Sequence, residues 1–140
     1  MPLSILLVDD HAGFRQAIGD HLRARGLTVV GEAADGGEAV QLARNLQPDI
    51  AVLDLNMPIL NGIDAGLAMR TAAPSTKTIL LTMHHEDEYV QQASGAGFAG
   101  YVLKSRAAFD LVEAIREVER GGTYLSPCIS HAAFPPDPQI

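Results

Sequence analysis

The sequence predicts one α/β domain in which five parallel strands form a doubly wound sheet with helices on both faces. Three observations support this fold class. Short apolar segments alternate with amphipathic segments five times, aspartates end two of the apolar segments, and a length of 140 residues suits one domain. Strands buried on both faces of a parallel sheet are apolar throughout, and the helices between them supply the crossovers that parallel neighbours need.

The strands are predicted from aliphatic runs bounded by polar or turn-forming residues. Ser4–Val8 and Ile50–Asp54 are the clearest, because nearly every side chain in them is apolar until an aspartate is reached. The other three predicted strands are shorter or less apolar, at residues 27–30, 78–82 and 101–103. The carboxyl ends of such strands form the usual ligand crevice of a doubly wound sheet.

The helices are predicted from apolar residues that recur at helical spacing. In the first helix, residues 13–25, this pattern includes Phe14 and Leu22, and Gly26 ends the helix as a C-terminal cap. Gly36 and Gly37 are expected to form a turn before the second helix. The remaining helices are predicted at residues 38–45, 62–70, 87–96 and 107–120.

Composition and charge exclude several classes of protein. A hydrophobic content of 47% with 19% charged residues does not fit intrinsic disorder. Ten basic against 17 acidic residues give a net charge of −7, so we expect these residues not to bind nucleic acid. The single cysteine, Cys128, cannot form an internal disulfide, which favours a cytoplasmic location. The apolar run before Asp9 is far shorter than the roughly 20 residues of a membrane span, so we expect no membrane contact.

The chain changes character after Gly121 and Gly122. No periodicity follows, and the prolines near the end favour an extended chain. We therefore expect a folded domain over residues 1–125 and a linker over residues 126–140, leading toward a C-terminal output domain that this chain lacks.

Three aspartates follow strands that are predicted to lie close together in the sheet. Asp9 and Asp10 follow the first strand, and Asp54 ends the third. Each of them alone could simply cap a helix or end a strand. Together, however, three carboxylates repel one another unless a cation is present, and Mg²⁺ prefers such oxygen ligands. The cluster therefore predicts a magnesium site.

Thr82 and Lys104 end the fourth and fifth strands, which places a hydroxyl and an ammonium at the same edge of the sheet. A lysine in this position is ordinarily a solvated surface charge, but beside three acids it becomes a counterion. A phosphoryl group carried on a carboxylate would need a metal ion, a cation and a hydroxyl donor around it. The sequence supplies the residues for all three.

Four segments in order resemble the receiver domain of two-component response regulators. They are residues 9–11 (DDH), 53–62 (LDLNMPILNG), 81–83 (LTM) and 100–105 (GYVLKS). The resemblance extends from residue 3 to about residue 125 and implies a flavodoxin-like sheet of strand order 2-1-3-4-5. The segment 121–127 further resembles regulators of the nitrate-response or quorum-sensing type, in which a helix-turn-helix DNA-binding domain follows the receiver.

The resemblance implies that Asp54 is the phosphoacceptor and that a sensor histidine kinase is the donor. Asp9 and Asp10 would hold Mg²⁺ together with Asp54, and the main-chain carbonyl of Asn56 would be a further ligand.

Three more residues receive roles from the same resemblance. Lys104 would pair with the phosphoryl group, and Thr82 would donate a hydrogen bond to it. Tyr101 would be the switch aromatic whose ring moves inward with Thr82, although a half-buried strand tyrosine with no such role is the alternative.

Asn56 and His84 lie two residues after the acceptor and two residues after the threonine. By the resemblance, these positions border the approach of the water that removes the phosphoryl group, so both are candidates for tuning its lifetime. The ring of a histidine changes charge near neutral pH, which would alter that water's surroundings. The alternative is that His84 points to solvent and has no part in the reaction.

The leading interpretation is a phosphorylation switch, not an enzyme, that controls transcription through a DNA-binding output domain and can form a homodimer on phosphorylation. One alternative is a stand-alone receiver that acts through protein contacts, which the sequence after Ile140 would test. Another is a magnesium-dependent phosphatase of the haloacid-dehalogenase type, which turnover of a generic phosphatase substrate would test. Those enzymes place a second acid two residues after the nucleophile, where this chain has Asn56.

Overall fold

The computed structural model of the chain describes residues 3–127 and 129. Its sheet has the strand order β2-β1-β3-β4-β5-β6, and every neighbouring pair is parallel. The order of the first five strands is the predicted one, so the doubly wound α/β fold is confirmed. The strands are β1 (Ser4–Val8), β2 (Thr28–Ala33), β3 (Ile50–Asp54), β4 (Lys77–Thr82), β5 (Gly100–Leu103) and β6 (Tyr124–Leu125).

The sixth strand is an addition to the predicted sheet. It pairs with the outer edge of β5, with Tyr124 opposite Gly100 and Leu125 opposite Tyr101. Two residues are too few to produce a hydrophobic period, so the pattern gives no sign of this strand. Most of the expected linker over residues 126–140 lies outside the described residues, as does Cys128, but Ser126 and Ile129 are buried against the domain.

In the described residues, five α-helices cover the sheet, and a short 3₁₀ turn precedes the last one. The helices are α1 (Ala12–Ala24), α2 (Gly36–Leu46), α3 (Gly62–Ala72), α4 (Asp87–Gly95) and α5 (Ala107–Glu119), and the turn is Lys104–Arg106. None of the helices in the described part of the chain has the length and apolar character needed to cross a bilayer.

The start of α2 corrects the prediction that Gly36 and Gly37 form a turn. The helix already begins at Gly36, because the Asp35 side chain accepts a hydrogen bond of 2.8 Å from the Glu38 amide and so caps it. A side chain at Gly36 would bring its Cβ to 2.0 Å from the Leu60 carbonyl oxygen. The glycine therefore permits the close approach of α2 to the loop after β3.

The core consists of two apolar layers separated by the sheet. Successive residues of β1 face opposite layers, so that Leu6 packs with α2, α3 and α4, whereas Leu7 packs with α1 and α5. Both residues are at most 1% exposed. This two-sided burial explains the continuous apolar runs in the sequence and fixes the carboxyl ends of β1, β3, β4 and β5 at one edge.

We expect the substitution Gly95→Ala to stabilise the domain by about 0.5 kcal/mol, because it removes backbone freedom from the unfolded chain at the end of α4. No atom lies within 4 Å of a Cβ built there. Gly97→Ala is the matched control, and should destabilise by roughly 1 kcal/mol because Gly97 has a φ of 87°. Thermal unfolding of both variants checks this; a lower midpoint for Gly95→Ala contradicts it.

Candidate functional site

The carboxyl edge of the sheet brings together the residues singled out in the sequence. Asp9 follows β1, Asp54 ends β3, Thr82 ends β4 and Lys104 follows β5. The first three are almost completely buried, with exposed fractions of 1%, 4% and 0%. Buried polar groups need partners, so their mutual arrangement decides what this edge can bind.

The acids form one compact cluster. Asp9, Asp10, His11 and Asp54 each offer a ligand atom, and these four atoms lie within 4.8 Å of one another. The His11 main-chain amide donates to Asp9 Oδ1 over 2.8 Å, which fixes the Asp9 carboxylate from one side. Asp10 is exposed and closes the cluster toward solvent.

Lys104 joins the two buried acids. Its Nζ lies 2.8 Å from Asp9 Oδ2 and 3.4 Å from Asp54 Oδ2, and its side chain is only 11% exposed. The same Nζ lies 4.7 Å from the centre of the Phe14 ring on α1, where the face of the aromatic ring attracts a cation. The ammonium is thus held from three sides at the mouth of the cluster.

The donor set fits a divalent metal ion. Asp9, Asp10 and Asp54 offer carboxylate oxygens that lie within 4.8 Å of one another, and of these three residues the Lys104 ammonium is close to Asp9 and Asp54 only. Three carboxylates in such proximity are the oxygen-rich set that Mg²⁺ prefers. The cluster can therefore hold a metal ion through Asp9, Asp10 and Asp54.

The electrostatics of Asp54 lead to the same conclusion. Burial raises the pKa of its carboxyl group to about 6, with a further upward contribution from the charge of Asp9 and a smaller one from Asp10. Lys104 opposes these effects through its charge and its hydrogen bond. The positive charge of Lys104 thus offsets only part of the free-energy cost of ionising Asp54. A second cation would stabilise the ionised carboxylate further.

Asn56, in the loop between β3 and α3, lies beside His84, in the loop between β4 and α4. Asn56 Nδ2 and His84 Nε2 are 3.2 Å apart. The His84 ring stacks on Tyr89 at 4.4 Å, and its Nδ1 lies 3.5 Å from Glu86 Oε2. His84 is therefore held against its neighbours although its side chain is 30% exposed, and its part in the reaction stays a prediction.

Thr82 and Tyr101 contact the main chain of the same loop. Thr82 Oγ1 accepts a hydrogen bond of 3.1 Å from the His84 amide, and the Tyr101 hydroxyl donates to the His84 carbonyl over 2.7 Å. Tyr101 is wholly buried, which raises the pKa of its hydroxyl above the ordinary range. The tyrosine is thus fully buried, not half-buried, and its role as the switch aromatic stays a prediction.

Sequence reasoning missed the two α1 residues that support the acids. In the sequence, Phe14 is only one of several apolar positions of a helix. Its contact with Lys104 depends on how α1 packs against the sheet. Arg15 donates from Nη1 to the Asp9 carbonyl and from Nε to Glu32 Oε1, the latter over 3.1 Å. The spacing of six residues between Asp9 and Arg15 does not predict such a contact.

A doubly wound parallel sheet with an acidic cluster and one lysine at its carboxyl edge defines the class of signalling receiver domains. The family model described as the response regulator receiver domain matches residues 5–116. The chain belongs to that family.

Curated relatives agree with this assignment. The chain is 36% identical over 128 residues to the response regulator protein VraR of Staphylococcus aureus, covering 91% of this chain and 61% of VraR. It is 34% identical over 130 residues to the transcriptional regulatory protein DegU of Brevibacillus brevis, covering 92% of this chain and 55% of DegU. The chain thus spans little more than half the length of these relatives.

Solved structures also match. A LuxR-family two-component response regulator from Aurantimonas sp. SI85-9A1 has a TM-score of 0.88 and 38% identity, with 92% of this chain and 93% of that chain covered. The receiver domain of the NarL response regulator from Mycobacterium tuberculosis has a TM-score of 0.81 and 33% identity, with coverage of 86% and 98%. The chain is therefore a two-component receiver domain related to LuxR- and NarL-type regulators.

We expect Asp54→Asn to stabilise the metal-free domain at pH 7, by on the order of 1–3 kcal/mol. Because the pKa of Asp54 is raised in the folded state, its contribution to stability is present below about pH 4 and is lost as the pH rises through about 6. An asparagine at this position cannot ionise, so the variant does not lose this stability as the pH rises. The difference in the free energy of unfolding between the variant and the unaltered chain should therefore be absent near pH 4 and grow toward pH 7.

Urea unfolding in EDTA at several pH values measures the difference. Asp20→Asn removes an acid whose side chain is 69% exposed and serves as the control for loss of charge alone. A difference that does not depend on pH, or one that shrinks toward neutral pH, contradicts the expectation.

Proposed function

We propose that this receiver domain is a phosphorylation switch in which Asp54 accepts a phosphoryl group from a sensor histidine kinase in a magnesium-dependent reaction. The observation that carries the proposal is the position of the Asp54 carboxylate. It ends a buried strand, with the Lys104 ammonium 3.4 Å away and the carboxylates of Asp9 and Asp10 in the same cluster. An acyl phosphate formed there would have a cation on each side.

The transfer requires little covalent chemistry from the protein. A carboxylate oxygen of Asp54 forms the new bond to phosphorus while the bond from phosphorus to the donor's histidine nitrogen breaks. Asp9, Asp10, Asp54 and the main-chain carbonyl of Asn56 are the proposed ligands of Mg²⁺, which would neutralise charge on the transferring group. The ionised form of Asp54 is the nucleophile, so binding of the metal also favours the reactive state.

Lys104 and Thr82 are proposed to detect the phosphoryl group. Lys104 Nζ already lies between Asp9 and Asp54 and would pair with a phosphoryl oxygen after small movements. The Thr82 hydroxyl, which accepts from the His84 amide, keeps its own proton for donation to that group. Tyr101 would follow, since its hydroxyl is bonded to the carbonyl of the same His84.

Asn56 and His84 are proposed to set the lifetime of the phosphorylated state. Their contact of 3.2 Å joins the two side chains that flank the approach to Asp54. Removing the ring of His84 frees the Asn56 amide and opens space for water.

We also propose that the output is transcriptional. DegU is described as a transcriptional regulatory protein, and this chain covers 55% of it, so we propose that contact with DNA lies in the remaining part of such a protein. The net charge of −7 supports the expectation that residues 1–140 do not themselves bind DNA.

Phosphorylation of Asp54 is tested with acetyl phosphate and intact-mass spectrometry. The chain should gain one phosphoryl group in Mg²⁺ and none in EDTA, and Asp54→Asn should gain none. Asp64→Asn, which alters an exposed aspartate on α3, should behave like the unaltered chain. Full phosphorylation of Asp54→Asn, or uptake that is independent of a divalent ion, contradicts the proposal.

We expect His84→Ala to speed the loss of the phosphoryl group about 2- to 10-fold, corresponding to about 0.4–1.4 kcal/mol in the barrier. His85→Ala is the matched control, because the adjacent ring is exposed. The decay of the phosphorylated species, followed by mass spectrometry, should be unchanged in that control. Equal rates for His84→Ala and the unaltered chain would exclude His84 from the reaction.

A further inference from the structure

The segment that follows α5 is built into the edge of the sheet beside the phosphoacceptor site. The Tyr124 amide donates to the Ala99 carbonyl and the Ser126 amide to the Tyr101 carbonyl, each over 3.0 Å. These bonds extend the pairing of β6 with β5, the strand that carries Tyr101 and leads into Lys104. Movement of one strand is therefore coupled to movement of the other.

Ser126 makes a second and more specific connection through its side chain. The hydroxyl accepts a hydrogen bond of 3.0 Å from the Leu103 amide and donates one of 3.1 Å to Asp110 Oδ2. Ser126 is 1% exposed and Asp110 is 3% exposed. Hydrogen bonds that satisfy buried polar groups are costly to lose, because the partner left behind cannot turn to water.

Asp110 continues the connection to the other side of Lys104. Its carboxylate accepts from Arg106 Nε over 2.8 Å and from Arg106 Nη2 over 3.2 Å. Leu103 directly precedes Lys104, and Arg106 ends the 3₁₀ turn that begins with Lys104. The sequence of contacts Leu103, Ser126, Asp110, Arg106 thus fixes the chain on both sides of the lysine.

We propose that Ser126 is a positioning residue for Lys104, and that the segment after α5 is part of the phosphoacceptor machinery as well as a connection to the output. The inference rests on the proposed function, in that Lys104 is taken to bind the phosphoryl group. Ser126 holds the Leu103 amide and so holds the base of the lysine side chain. By thermodynamic linkage, phosphoryl binding at Lys104 then tightens the docking of β6 by the same factor.

The test is a double-mutant cycle on the affinity for beryllofluoride, a mimic of the phosphoryl group, measured by calorimetry in Mg²⁺ with the full chain. Ser126→Ala should weaken binding about 3- to 10-fold, the range expected for one hydrogen bond of roughly 0.6–1.4 kcal/mol. In the Lys104→Ala background the same substitution should change binding less than about 2-fold, since a positioning residue acts only through the lysine. Affinity for Mg²⁺ alone should be unchanged by Ser126→Ala.

Two further variants separate positioning from general loss of structure. Ser126→Thr keeps the hydroxyl and should recover most of the affinity. Ser4→Ala is the matched control, because the Ser4 hydroxyl likewise accepts from a main-chain amide and donates to a carboxylate, both of Asp49, at the start of β1. It should leave beryllofluoride binding unchanged.

The outcomes are distinct. If Ser126→Ala weakens beryllofluoride binding equally with and without Lys104, or does not weaken it at all, this inference is overturned. If Ser126→Ala does not fold, Asp110→Asn takes its place in the cycle. It should weaken beryllofluoride binding in the same direction but by a smaller factor, and an affinity equal to that of the unaltered chain overturns the inference. If beryllofluoride binding does not need Asp54, or is unaffected by Lys104→Ala, the proposed function is wrong and this inference with it.

Discussion

The ion pairs of Lys104 with Asp9 and Asp54 are the interaction on which the rest of this site depends. Two carboxylates buried at one edge of a sheet repel each other and lose hydration, and a single ammonium at 2.8 and 3.4 Å offsets only part of this. The remaining imbalance appears as the raised pKa of Asp54. A site with too few cations for its acids is suited to bind a further one.

Much of the fold and of the site could be predicted, because buried strands appear in the sequence as apolar runs and their ends as the charged residues that follow. A strand covered on both faces must be apolar throughout, so β1 and β3 were predicted with the bounds found. A charged residue directly after such a strand must lie at the sheet edge, whatever the helices do. The sequence therefore predicts that Asp9, Asp54 and Lys104 lie together, as they do.

The features that escaped prediction depend on contacts between distant segments. The strand β6 exists because β5 offers a free edge, and two residues carry no period of their own. The sequence places Ser126 at the start of a linker and does not indicate that its hydroxyl forms hydrogen bonds with Leu103 and Asp110. Gly36 likewise suggests a turn. The cap by Asp35 is a local contact, but the approach of Leu60, which requires a glycine here, is a tertiary feature that the sequence does not indicate.

In the proposed function, the loop residue His84 connects the detection of a phosphoryl group with its removal. Its amide donates to Thr82, its carbonyl accepts from Tyr101, and its ring meets Asn56. If Thr82 moves to donate to a phosphoryl group, as proposed, the amide of His84 must follow or lose its partner. Its carbonyl and ring belong to the same residue, so on the proposed roles the same step would disturb the contacts of His84 with Tyr101 and Asn56. The proposed function therefore implies that a change at His84 alters both the conformational response and the lifetime of the phosphorylated state.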